Sequence, residues 1–137
     1  MMQNSKRMKF GHFFYPMKFN DKADGREIQD CLYEAQLIEE LGMDAIWFAE
    51  HHFTGECVYG DPLVFAGAVA VKTKKVTLGL GILELPLHNP VRVAIQTALL
   101  DNLSKGRLVV GTASGSNYNA YEYIGFGTSP EAGADQI

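Results

Sequence analysis

Four apolar segments recur along this 137-residue chain, beginning near Lys9, Asp44, Val76 and Arg107, so that successive starts stand 35, 32 and 31 residues apart. About 30 residues is the length of one strand, one helix and their connections in a βαβ unit. A chain with that rhythm is constrained to parallel strands joined by right-handed crossover helices.

The residues between those starts agree with the rhythm. Lys9–Tyr15 is aromatic-rich and reads as a first strand, stopped by Pro16. Ile28, Leu32, Ala35 and Ile38 recur at helical spacing and predict a helix over Arg26–Leu41, with Asp24 as its cap and Gly42 as a left-handed terminator. Asp44–Ala49 is the second strand. Asp61-Pro62 opens a second helix, since the aspartate can cap it and a proline at the first position loses no hydrogen bond. Leu63–Val71 is apolar nearly all round, and Lys72-Thr73-Lys74-Lys75 closes it with cations near the negative end of the dipole. Val76–Leu83 is the third strand. Gly79 and Gly81 inside it suggest close approach by a ligand or another backbone. Asn89-Pro90 repeats the cap signal for a third helix to about Leu103, Arg107–Thr112 is the fourth strand, and Asn117–Tyr123 fits a short helix.

Two architectures satisfy this pattern: an open doubly wound sheet, or a (β/α)8 TIM-type barrel of which four βα units are half. In both, function collects at the carboxyl ends of the strands. The unusual residues fall there: Glu50-His51-His52 after strand two, Gly81-Ile82-Leu83-Glu84 at the end of strand three, and Ala113-Ser114-Gly115-Ser116 after strand four. The expected organisation is a flexible leader over 1–8 and a half-barrel over 9–137.

The Glu50-His51-His52 run offers acid–base chemistry near neutral pH. A metal is not expected, because adjacent strand residues point to opposite faces and His12 and His88 are remote in sequence. His51 shares parity with Trp47 and Ala49, and His52 with Phe48 and Ile46; which set faces a barrel axis stays open. Gly111–Gly115, with Ser114 and Ser116, suits either a tight turn or an anion cradle. Arg107 sits at the opposite end of strand four and is expected to be structural.

Composition narrows the classes further. The net charge is −4 with no basic run, which argues against nucleic acid. The longest apolar run, Leu63–Val71, is far short of the ~18–20 residues of a membrane span. Two isolated thiols, Cys31 and Cys57, suit a reducing cytoplasm.

The segments Leu41–Trp47 running into Glu50-His51-His52-Phe53, Leu78-Gly79 to Leu85-Pro86, Asn89-Pro90-Val91-Arg92 and Leu99–Arg107, in that order and spacing, resemble the bacterial luciferase-like family of flavin-dependent monooxygenases. The resemblance runs from Met8 over nearly the whole chain and covers the amino-terminal half of a family member. It implies a TIM barrel, a homodimer, and reduced FMN supplied by a partner flavin reductase and used with O2 to oxygenate a small organic substrate. It implies that His51 and the adjacent Glu50 are catalytic, that Gly81-Ile82 is a cis peptide beneath the flavin, and that Ala113, Ser114 and Ser116 lie at the flavin phosphate. Ser114 stands where bacterial luciferase has an arginine, which places the chain outside the light-emitting branch. Trp47, Phe13, Phe14 and Phe53 would supply apolar walls. A deazaflavin-dependent oxidoreductase on the same barrel, or a truncated non-catalytic paralogue, are the alternatives.

Overall fold

The computed structural model describes residues 7–18, 23–129 and 131. Its elements run β1 (Gly11–Phe14), α1 (Asp24–Glu40), β2 (Ala45–Phe48), α2 (Pro62–Lys72), β3 (Thr77–Glu84), a 3-10 turn (Leu85–Leu87), α3 (Pro90–Ser104), β4 (Leu108–Ala113), a second 3-10 turn (Asn117–Asn119) and α4 (Ala120–Gly125). Six residues of the expected leader, 1–6, lie outside the described residues. Arg7 is described and pairs with Asp44 at the start of β2.

All four strands are parallel and lie in the order β1-β2-β3-β4. A doubly wound sheet reverses its strand order partway, so the unbroken sequence is that of a barrel arc. The packing agrees. Phe14, Ile46, Phe48, Leu78 and Leu80 share one face and form a single core with Cys31, Ala35 and Ile38 of α1, Phe65, Ala66 and Val69 of α2, and Leu100 of α3. Phe13 and Val109, on the other face, are 51% and 43% exposed. The molecule is a partial barrel with its helices outside and its inner face open. Trp47 belongs to that inner set, which settles the parity of β2.

Local chemistry explains the boundaries. The Asp61 carboxylate accepts from the backbone N–H of Leu63 and Val64, and the Asn89 side chain from that of Arg92, so both proline-led helices start where their caps dictate. Asp24 is not a cap. Ala23 holds that position without a side-chain bond, and the Asp24 carboxylate pairs with Lys18 instead, at 2.8 Å. Gly42 has φ +78° and ends α1 as expected. Helix α3 ends on Lys105 and Gly106, both left-handed.

The amino-terminal ends of the strands are tied by structural hydrogen bonds. Arg107 donates to the carbonyls of Ala70, Thr73, Val76 and Ser104 and to the Thr73 hydroxyl, which bears out its structural role. The Glu39 carboxylate accepts the N–H groups of Lys74, Lys75 and Val76.

The glycines of β3 serve a packing purpose. A Cβ on Gly79 would fall inside the indole of Trp47, and one on Gly81 would lie 3.2 Å from it. Within the chain, the group that approaches these glycines is the Trp47 side chain.

Candidate active site

The carboxyl rim is built around Glu50. Strand β2 ends two residues earlier, at Phe48, and Glu50 occupies a buried position with 3% exposure. One carboxylate oxygen accepts from His52 Nε2 at 3.0 Å and from His88 Nε2 at 2.6 Å. The other accepts the backbone N–H of Glu84 at 2.6 Å, so the tips of β2 and β3 are joined directly. Burial pushes the Glu50 carboxyl up, but the two histidine hydrogen bonds and the Glu84 amide outweigh it and hold the group below its ordinary value. His88 moves the opposite way. Burial lowers it, and the bond to Glu50 more than offsets this, leaving it raised. His88 is therefore remote only in sequence; in space it is a direct partner of Glu50.

His51 turns toward α4. Its Nδ1 lies 3.3 Å from a Glu122 oxygen and 3.1 Å from the Asn119 amide nitrogen, and its ring meets that of Tyr15 edge-on at 5.3 Å. The same Glu122 oxygen accepts the backbone N–H of His52 at 2.7 Å. The two histidine rings thus serve different carboxylates. The sequence missed Asn119 of the second 3-10 turn and Glu122 and Tyr123 of α4, about 70 residues away, and the only local signal was a carboxylate set between two tyrosines.

The third strand tip carries a bulge. Leu80 pairs with Val110 and Leu83 with Thr112, so three steps of β3 match two of β4. The extra residue returns Leu83 to the helix-facing core, and by alternation Glu84 turns to the opposite, inner side. Gly81-Ile82 is a cis peptide, as the resemblance implied. Glu84 is buried, and its carboxyl is raised to about 7 by burial first and then by the charges of Glu122 and Glu50.

The fourth tip closes the rim. Tyr123 donates its hydroxyl to the Ser114 carbonyl, and the Ser116 hydroxyl accepts the N–H of Tyr118. Gly115 has φ +80°, and a Cβ there would run into the Tyr123 hydroxyl and lie 2.6 Å from a Glu84 oxygen. Ala113 ends β4 half-buried and Ser114 is exposed. Nitrogen of His51 and oxygens of Glu84 and Glu122 lie within 4.8 Å of one another. Three donors, one already engaged by Asn119 and Glu122, do not by themselves define a metal centre.

The apolar walls differ in part from expectation. Phe13 and Trp47 line the inner face, but Phe14 is 2% exposed in the helix-side core. Phe53 stands outside at 68% exposure, with φ +70°, and packs on Phe126 and Gly125. The inner face next to the rim is therefore apolar and glycine-lined, while the rim supplies hydroxyl and backbone donors. Those features fit a planar aromatic cofactor with an anionic tail.

A family model described as luciferase-like monooxygenase matches residues 8–135. The oxygenase component of the flavin-dependent trigonelline monooxygenase of Acinetobacter baylyi is 33% identical over 84% of this chain and 32% of its own length. The crystal structure of monooxygenase RslO1 from Streptomyces bottropensis superposes with a TM-score of 0.85 at 30% identity, over 94% of this chain and 39% of that one. The oxygenating constituent of 3,6-diketocamphane monooxygenase from Pseudomonas putida, in complex with FMN, shares the fold with a TM-score of 0.80 at 20% identity, over 88% and 33%. The chain spans about a third of the length of the curated relatives it matches.

Proposed function

Because the chain belongs to the luciferase-like monooxygenase family, we propose that it forms a flavin-facing part of an FMN-dependent monooxygenase that oxygenates a small organic substrate with O2. The observation that carries this reading is the convergence of three strand tips on one rim. Glu50 accepts the Glu84 N–H, Glu84 lies against Gly115, and the Tyr123 hydroxyl donates to the Ser114 carbonyl.

Flavin supplies the electrons and the activation of O2. The chain's residues position and shelter it. Gly81-Ile82, Trp47 and Phe13 form the apolar floor. Ala113, Ser114 and Ser116 offer small side chains and hydroxyl or backbone donors to the phosphate. His51, held at Nδ1 by α4, holds or moves a proton at its other ring nitrogen. Glu50 fixes the loop that carries it. The apolar floor would keep water from the face of the ring that rests on it.

The oxygenase-component relative and the FMN-bound neighbour support reduced FMN and a partner flavin reductase. A homodimer is supported by Val91, Ile95, Leu99 and Leu103, which recur every four residues along α3 and are all exposed. They continue into an apolar groove against Leu63, Val64 and Gly67 of α2. Among the described residues no helix is long and apolar enough to cross a membrane, and the two buried free thiols, Cys31 and Cys57, fit a reducing cytoplasm.

The test is O2 uptake with substrate oxygenation when a flavin reductase and FMN are supplied. Anaerobic hydride transfer with a deazaflavin and no O2 uptake would favour the reductase alternative. Absence of either activity would favour a non-catalytic paralogue.

A further inference from the structure

Two buried carboxylate oxygens at the rim have no hydrogen-bond partner among the described residues: Oε2 of Glu84 and Oε2 of Glu122. Glu84 is 4% exposed and Glu122 fully buried. An ionised carboxylate only accepts, so two such oxygens side by side leave acceptors with nothing to accept. Leaving both charged and unpaired in a buried site carries a desolvation penalty that nothing offsets. One proton removes the conflict. It turns one carboxyl into a donor and gives the other a partner. Carboxylate oxygens of the two residues lie within 4.8 Å of each other, a gap that a small rotation or one bridging water closes.

We propose that Glu84 and Glu122 share a single proton, held chiefly by Glu84, and that this pair sets the tautomer and charge of His51. Glu122 is the better site for the negative charge, because its other oxygen already accepts the His52 N–H and faces His51 Nδ1. Glu84 has no such donors, and its carboxyl is raised by burial and by Glu122 and Glu50. His51 Nδ1 sits between an acceptor, Glu122, and a donor, the Asn119 amide. It can protonate and bond to the first, or stay bare and accept from the second, but not both. With one proton on the pair, Glu122 keeps its charge and draws a proton onto Nδ1. With two, Glu122 is neutral and Nδ1 turns to Asn119. The groups that bear on Glu84 are Glu50, His51 and His52 from the loop after β2, His88 beyond the 3-10 turn, and Glu122 and Tyr123 from α4; Glu56 stands 4.0 Å from His51. Glu84 is thus a positioning residue that acts through Glu122.

The test is side-chain NMR on the chain without flavin, following the glutamate carboxyl carbons and the His51 ring nitrogens against pH. The wild type is expected to show one glutamate carboxyl titrating near neutrality, with a matching shift of the His51 nitrogens. Glu84→Gln should abolish that titration and its echo at His51. Glu122→Gln should move the Glu84 titration toward the ordinary carboxyl range. Titration of both groups in the ordinary range in the wild type would overturn the proposal, and this needs no variant to fold. So would stoichiometric binding of zinc or manganese ions that Glu84→Gln abolishes, since a cation would then do what the proton is said to do. The consequence for catalysis rests on the role given above to His51. The titration is read without flavin, so either claim can fail alone.

Discussion

The Nε2 of His88 lies 2.6 Å from the Glu50 carboxylate although the two residues are 38 positions apart. This bond and those from His52 and the Glu84 amide make Glu50 the point at which two strand tips are fastened. Replacing Glu50 by alanine strands two histidines and a buried N–H. The expected loss is about 3–5 kcal/mol of folding stability by urea denaturation, with Glu50→Gln losing less.

The same cluster sets a pH dependence. Glu50 is held below its ordinary 4.5, so its contribution is present above that value and is lost as pH falls through the folded value. His88 is raised above 6.5, so its contribution is present below 6.5 and lost as pH rises through its folded value. Glu84, raised from 4.5 to about 7, binds a proton in the folded chain that the unfolded chain has released, so stability falls across that interval. The chain should be most stable near pH 5 and weaken toward pH 8. Glu84→Gln should flatten the decline by about 1–3 kcal/mol, as read from denaturation midpoints across pH.

Gly79→Ala tests the packing of the inner face. The added methyl must displace Trp47, the single tryptophan of the chain. The expected cost is about 1–3 kcal/mol, with a changed emission maximum for Trp47. An unchanged spectrum would show that the indole does not rest on Gly79.

Arg107 separates stability from function. Arg107→Met leaves four carbonyls without their donor and should cost about 2–4 kcal/mol. Because these bonds lie at the opposite end of the strands from the rim, flavin affinity of the folded fraction should stay within about twofold, close to the wild type.

Ile95→Glu places a charge in the exposed apolar stripe of α3. Sedimentation should find the wild type dimeric and the variant monomeric at the same concentration, since burying an unpaired carboxylate costs more than a modest interface supplies.

Much of this was legible in the sequence because its causes are local. The caps at Asp61 and Asn89, the terminator at Gly42 and the 30-residue rhythm all depend on neighbours within a few positions. Asp24 failed as a cap because α1 begins earlier than expected, with extended Ala23 in the cap position and Asp24 already inside the first turn. Phe14 was misplaced as a wall because parity alone does not say which face the helices cover. Partners such as His88 and Glu122 were invisible, since they reach the rim only when β3 and α4 fold onto it. Gly79 and Gly81 signalled a close approach correctly, but not that Trp47 was the group approaching.

The central claim is that the carboxyl rim beside His51 holds reduced flavin. The most direct measurement is anaerobic titration of the chain with reduced FMN, read by quenching of Trp47 on the inner face beneath that rim. The account predicts saturable binding of one flavin per chain, weakened when Gly115 is replaced by valine and retained in His51→Ala, whose oxygenation turnover should fall about 10²–10⁴-fold. Absence of saturable quenching, or binding that ignores Gly115→Val, would contradict it.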